Sequence, residues 1–405
     1  MAATLNPGLD SGRGWLVAAA ATTSTFATFG VAYSFGAFFS EMSDEFGAGS
    51  SATAFMFSLT VSLSFVFGLW TGRWADRVGP RPVLLAAAAS LSASLLLTAV
   101  VTNLWLGYLT YGLGVGFAMA CGYVPMVATV SGWFDRRRAT ALGVAVAGIG
   151  LGTLVGAPLA ARLINLTSWR TTYVIFAIGG GSLLLAAAAA AKRGPAAIAA
   201  PQPRRLGELL RIADFKMLYG ATVFTSLGLF VPFVFLADYA KERGIGEVQA
   251  ATLVGLIGGF SIIGRLGLGG LADRFGAKRL YFASFVAMAV SHLIWLVAGA
   301  NYPALVIYTV ILGIGYGGFI ALSPEVVAQR FGLNGIGGII GTLYTSAAIG
   351  SLLGPPFAGL LIDKFGYTTA IAFAVLANTL AVIVLIPLVR RPTPRQRVAT
   401  VNQPT

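Results

Sequence analysis

Arg265 is the residue whose chemistry stands furthest from its surroundings. It lies in the stretch Val254 to Asp273, VGLIGGFSIIGRLGLGGLAD, and is the one Lys or Arg that falls deep inside an apolar span, away from its ends. A cation at membrane depth costs at least about 2.5–3.5 kcal/mol even on the lenient insertion scale, so such residues are kept for a use. At helical spacing Gly258, Ser261, Arg265 and Gly269 share one face, small residues beside one long cation, which describes a groove floor better than a lipid-facing surface. The chemistry this offers is anion binding, because the planar guanidinium fork matches a carboxylate. Two plainer roles compete with it, snorkelling to the headgroups and pairing with a buried acid. The nearest acid in the sequence is Asp273, eight residues on, or about 12 Å along a helix rising ~1.5 Å per residue.

Hydroxyl groups that could share an anion with Arg265 are Ser261 on its own face, Tyr123 (ACGYVPM), Tyr316 (GIGYGGF) and Tyr344 (TLYTSAA). For each tyrosine the competing role is an interfacial belt residue or a packed aromatic. Tyr302 and Tyr367, at span ends, are assigned to the belt. One Cys (Cys121) and one His (His292) leave no basis for a disulfide framework or a histidine metal cluster, and His292 reads as a packed residue. No metal site, cofactor or enzymatic constellation is expected. Gly148-x-Gly150-x-Gly152 and Gly313-x-Gly315-x-Gly317 lie inside apolar runs with no strand before them, so they predict close helix packing rather than dinucleotide loops. No Walker motif is present, which excludes direct ATP hydrolysis as the energy source.

The elements that must position these residues follow from composition. Of 405 residues, 57% are hydrophobic and 10% charged, against roughly 25% charged in soluble domains. The chain is an all-α membrane protein. Windows of about 20 apolar residues give twelve spans, at 15–39, 51–71, 83–101, 104–132, 139–164, 169–191, 215–237, 248–272, 280–299, 304–329, 336–361 and 367–389. This divides the chain into a tail (1–14), a first bundle (15–191), a central loop (192–214), a second bundle (215–389) and a tail (390–405). The first apolar run is too long for a signal-peptide core, so no cleaved signal is expected. With the N-terminus inside, 21 of the 27 Lys and Arg residues fall in cytoplasmic segments and five outside, which puts both termini in the cytoplasm. The net charge of +13 is therefore a matter of topology, not of a nucleic-acid partner. Pro125, Pro158, Pro232, Pro355 and Pro356 are expected to bend or end helices.

An internal repeat organises the twelve spans. Gly72 to Arg81 (GRWADRVGPR) returns as Gly269 to Lys278 (GGLADRFGAK), with Asp76 and Asp273 separated by 197 residues. Phe134 and Phe331 keep the same offset, as do Thr171 and Thr368. The chain is thus two pseudo-symmetric six-helix bundles, which implies a site between them near the midplane and alternating access by rocking.

The repeated G-x-x-A-D-R-x-G-x-[RK] segment resembles the signature loop of the major facilitator superfamily, and the twelve-span plan resembles it over the whole chain. The resemblance implies a conformational latch at Gly72, Asp76, Arg77 and Gly79 in the first half and Asp273, Arg274 and Gly276 in the second. Glu325, near the inner end of the tenth span, is expected to pair with Arg274 or Lys278 in that network. Trp133 to Gly152 (WFDRRRATALGVAVAGIGLG) is similar to the fifth-helix segment of the monocarboxylate transporter family, and Asp10 to Trp15 (DSGRGW) resembles that family's entry to its first helix. Arg265 falls where the family carries a substrate-facing arginine, and the oxalate:formate antiporters share much of this pattern.

Departures narrow the expectation. Ser261 stands where the animal members place an Asp, the first span holds no Lys, and Ile336 to Leu361 lacks the second cation of the oxalate exchangers. One buried cation balances one anion, so a monoanion is expected. The reading is a secondary transporter of a small monocarboxylate of the lactate or pyruvate kind, moved with a proton across a bacterial inner membrane, without cofactor or nucleic acid and as a monomer. The alternatives are an organic-anion antiporter of the oxalate:formate type and a non-transporting sensor on a transporter fold. Efflux of lipophilic cations suits a lone arginine less well.

Overall fold

Inside a bilayer an unpaired backbone N–H or C=O has no water to turn to, so a long apolar run can cross only as a helix. The computed structural model describes residues 9–195, 206–332 and 336–391 and shows twelve helices long and apolar enough to do so. In chain order they are α1 (Gly12–Phe46), α2 (Ser50–Val78), α3 (Pro80–Thr98), α4 (Leu104–Ser131), α5 (Arg138–Leu166), α6 (Trp169–Ala190), α7 (Ala213–Glu242), α8 (Glu247–Phe275), α9 (Ala277–Ala298), α10 (Tyr302–Phe331), α11 (Ile336–Phe365) and α12 (Tyr367–Arg390). Helices such as α1 and α7 run past the apolar windows, since helical hydrogen bonds continue into the interface after the hydrophobic pattern stops. In the central loop, Leu206–Leu209 forms a single helical turn and 196–205 lie outside the described residues.

The repeat has a backbone cause at its glycines. Gly79 ends α2 at φ +93° and Gly276 ends α8 at φ +86°, and glycine adopts that region without a Cβ penalty. Their N–H groups turn back to Ala75 O at 2.7 Å and Ala272 O at 2.9 Å, satisfying carbonyls at each helix end. The first helix of each half is broken at matching depth. α1 breaks at Ser34, whose hydroxyl donates to Val31 O at 2.8 Å, and α7 breaks at Phe230, just ahead of Pro232. By contrast α4, α5 and α11 continue through Pro125, Pro158 and Pro355–Pro356, so those prolines do not end helices. Part of α4, Tyr108–Val115, winds as a π-helix, which nothing in the sequence foretold.

The halves meet along two seams, α5 against α8 and α2 against α11, and α1 touches α7 near one end. The glycine runs are packing surfaces, as expected. A Cβ on Gly152 would stand 2.4 Å from Phe26 O of α1, and one on Gly150 would stand 2.5 Å from Gly258 O of α8. Both described ends of the chain lie at one end of the bundle. Asp10 is bonded to the α4–α5 loop, while Arg391 O accepts from Lys278 at 2.8 Å and from Arg330 at 3.0 Å. The opposite end is referred to below as the distal end.

The N-terminal segment is clasped to the α4–α5 loop. Asp10, at φ +54°, donates its N–H to Trp133 O at 2.9 Å, and its two carboxylate oxygens accept from Arg136 N and Arg137 N, each at 3.1 Å. Ser11 then caps α1, and Trp15 packs edge-on to Phe134 with ring centroids 5.0 Å apart. Partial desolvation pushes the Asp10 carboxyl up, but backbone N–H bonds from Arg136, Arg137 and Asp135 and the Arg137 charge outweigh it and hold the group below its usual value. A lowered folded pKa adds stability that is present above about pH 4, the unfolded value, and lost as pH falls through the lower folded value. Asp10→Asn keeps the tolerance for positive φ and removes the charge. Its melting temperature in detergent should therefore lie below wild type at neutral pH, with the gap closing in acid; a gap independent of pH would refute this account.

Candidate functional site

The backbone around Arg265 is fixed by close helix approach on two sides. A Cβ on Gly317 of α10 would stand 2.1 Å from Ser261 O and 2.9 Å from Arg265 N, and one on Gly264 would stand 2.2 Å from Ile314 O. On the other side Gly258 meets Gly150 of α5, where an added Cβ would be 2.7 Å from the carbonyl. α8 is therefore wedged between α5 of the first half and α10 of the second, with its arginine at the seam.

The guanidinium crosses that seam. Arg265 is 6% exposed, and its Nη1 donates to Val146 O of α5 at 2.5 Å. Its Nε and Nη2 are buried and have no hydrogen-bond partner among the described residues. The plainer roles do not fit this geometry: the side chain is too buried to snorkel, and the described residues provide no carboxylate within salt-bridge distance of it. A cation left with open donors in low dielectric calls for an anion.

Tyrosines surround it. The Tyr316 ring lies 5.7 Å from the guanidinium carbon, within cation–π range. Tyr33 of α1 brings its hydroxyl 3.5 Å from that of Tyr316, long beside the usual ~2.8 Å for a hydroxyl pair. Tyr33 and Tyr123 are both in electrostatic contact with Arg265, and Phe29 packs edge-on to each of them at 5.5 and 5.6 Å. Tyr344 stands one step away, in electrostatic contact with Tyr123 and Tyr316. It lies beside Ser323 and Tyr281, whose buried hydroxyls sit close together without hydrogen-bonding geometry.

Three of the five sequence-derived candidates, Arg265, Tyr123 and Tyr316, thus converge, with Tyr344 behind them. Ser261 differs: it is buried, shares the arginine's face against α10, and donates its hydroxyl to Gly258 O of its own helix at 2.7 Å. Its proton is committed to the backbone, a common fate of serine inside a helix. Tyr33 and the Val146 carbonyl were missed. Phe29 and Tyr33, four apart on α1, offered a signal; a backbone acceptor offers none. His292 is buried with Nδ1 2.7 Å from Met288 O, as a packed residue should be. Tyr367 is no belt residue: it is 7% exposed and donates to Asp238 at 2.6 Å.

Comparison with known proteins bears on this arrangement. The sequence profile of the Major Facilitator Superfamily matches residues 21–272 and 217–404. Monocarboxylate transporter 3 of Rattus norvegicus is 32% identical over 370 residues, covering 87% of this chain and 75% of that protein. The chain belongs to the monocarboxylate transporter family of the major facilitator superfamily. Monocarboxylate transporter 12-B of Danio rerio is 28% identical over 401 residues, covering 90% of this chain and 84% of its own length. Among solved structures, a bacterial homologue of the human lysosomal transporter Spinster, in an inward-facing and occupied conformation, superposes with a TM-score of 0.75 at 14% identity, over 93% of this chain and 98% of that one, and shows the common fold. The protein is a multi-pass membrane transporter.

The repeated G-x-x-A-D-R-x-G-x-[RK] segments occupy the α2–α3 and α8–α9 connections at the termini-bearing end. The Asp76 and Arg77 carbonyls accept from Arg193 at 2.9 and 2.5 Å, tying the loop to the start of the central linker. Gly72 faces Val124 of α4 with room for a Cβ at 3.4 Å. Arg274 lies over the Phe275 ring at 5.4 Å, and the side chain of Asp273 lies outside the described residues. Glu325 does not pair with Arg274 or Lys278. It accepts from Gln329 at 2.9 Å, one turn on along the same helix face, where i,i+4 neighbours meet first.

Gly317 supplies a direct test of how the arginine is held. Gly317→Ala must push α10 off the Arg265 backbone, an overpacking penalty of about 1–3 kcal/mol. Gly267→Ala on the same α8, with nothing near its added Cβ, should be neutral or stabilising. Thermal unfolding of the two variants should separate them; equal melting temperatures would contradict the clamped geometry.

Proposed function

We propose that this transporter carries a small monocarboxylate of the lactate or pyruvate kind together with a proton, by alternating access, across a bacterial inner membrane with both termini cytoplasmic. The observation that carries the reading is Arg265, buried at the seam with Nε and Nη2 unpartnered among tyrosines from both halves. One edge of the guanidinium is anchored on Val146 O, and the free edge can take a carboxylate side-on while Tyr123, Tyr316 and Tyr33 offer hydroxyl donors. Ser261 supports the arginine through packing and Tyr344 closes the cluster from α11. One cation without a buried acid beside it matches one negative charge.

The proton has no side-chain carrier of obvious standing beside Arg265, since the arginine itself stays charged with a pKa above about 12. In this reading the proton rides on the substrate carboxylate. A small acid has a pKa near about 4, which burial raises and the guanidinium lowers. The repeated loops, with Gly72, Asp76, Arg77 and Gly79 in one half and Asp273, Arg274 and Gly276 in the other, form the latch that closes the termini-bearing end at another stage of the cycle. The protein acts as a monomer, since one chain supplies both halves of the site.

Purified protein in proteoliposomes tests the assignment with a screen of radiolabelled organic acids. Arg265→Lys and Arg265→Gln should each weaken ligand-induced thermal stabilisation roughly tenfold or more, because an ammonium is a point donor on a differently placed stem. Undiminished stabilisation in both would sink the site. Uptake should rise as external pH falls and should keep that dependence in Glu325→Gln; pH-independent uptake in that variant would identify a side-chain carrier instead.

A further inference from the structure

At the distal end the two halves are joined by carboxylates that the second half alone supplies. Asp238, close to the end of α7, accepts from Ser40 Oγ of α1 at 2.6 Å and from Tyr367 OH of α12 at 2.6 Å. Lys241 stands 3.6 Å from the same carboxylate and also donates to Ser40. Asp363, at the end of α11, accepts from Ser50 N at 3.0 Å and Ser51 N at 3.4 Å. These are first-turn N–H groups of α2, which have no partner inside their own helix and carry the positive end of its dipole.

The backbone is shaped for both contacts. A Cβ on Gly359 would stand 2.5 Å from Ser51 N, and one on Gly36 of α1 would stand 2.7 Å from Phe233 O of α7. Pseudo-symmetry shows that this is not a by-product of the fold. The residue 197 positions before Asp363 is Leu166, 70% exposed, and the one 197 before Asp238 is Glu41, also exposed. The arrangement is built once, between α1 and α7 and between α2 and α11. The matching α5–α8 seam relies on glycine contacts and on Arg265.

We propose that Asp238 and Asp363 are the distal gate of the transport cycle: they hold α1 to α7 and α2 to α11, and both must release their first-half partners before that end opens. This rests on the alternating-access reading but not on the identity of the substrate. Helix-end amides and a serine hydroxyl bind a carboxylate through directional hydrogen bonds, so a small rocking of the halves breaks them together.

The test is a distance measurement between spin labels in liposomes. Labels on Thr102→Cys and Ala300→Cys, exposed loop positions at the distal end of opposite halves, are placed in a Cys121→Ala background. Asp238→Asn with Asp363→Asn should add a longer-distance population, and Glu41→Gln, which removes an exposed charge at the same end, should not. A second pair inside the first half, Asp44→Cys with Thr102→Cys, should keep its wild-type distance. A wild-type distribution in the double variant would overturn the proposal. So would a shift in both pairs, which would assign the aspartates to the fold of a half and not to its gate. The readout needs no substrate, so failure of the monocarboxylate assignment would leave it untouched.

Discussion

A guanidinium in low dielectric, bonded on one edge to a carbonyl of the opposite half, is the interaction on which the rest of this structure turns. Holding it there requires α8 to lie closer to α5 and α10 than side chains permit, and the glycines at 150, 258, 264 and 317 supply that closeness. Their spacing then decides which helices can line the centre. Tyrosines of α1 and α10 meet at the arginine, the Tyr33 and Tyr316 hydroxyls 3.5 Å apart and the Tyr316 ring 5.7 Å from the guanidinium carbon. Because Val146 belongs to one half and Arg265 to the other, the cation is also a cross-bundle contact, so whatever changes the bonding of the guanidinium bears on the α5–α8 seam.

Much of this was legible in the sequence because it is written in polarity and in offset. Twelve apolar runs among few charges leave helices as the main solution, and one 197-residue offset yields two halves without any contact being known. Arg265 could be singled out because a cation among Leu, Ile and Gly is a departure from its own neighbourhood. The glycines of the repeated loops were visible as a pattern, though their reason, the left-handed ends of α2 and α8, is a property of the backbone.

What was not legible depends on direction or on groups every residue carries. Ser261 lies on the predicted face, yet its hydroxyl turns to its own helix, since a serine has a carbonyl one turn back within reach wherever it sits. Val146 acts through its carbonyl, and any residue at that place would present the same atom. Glu325 was assigned by charge to Arg274 or Lys278, whereas helical geometry brings Gln329 nearer. Tyr367 looked interfacial from its place at the start of a span, and only the packing of α12 against α7 shows its hydroxyl facing inward to Asp238. The π-turn segment of α4 has no sequence mark at all.

The clasp at Asp10 bears on how the molecule is assembled. Its acceptors are met by amides 126 and 127 residues further along the chain. During synthesis α1 therefore enters the membrane with its N-terminal end unfastened, and it stays so until three more spans, α2 to α4, have followed and the loop before α5 has been made. The segment ahead of the first helix is thus a closing tie for the first bundle: it fastens late, and it reports that α4 has arrived in register.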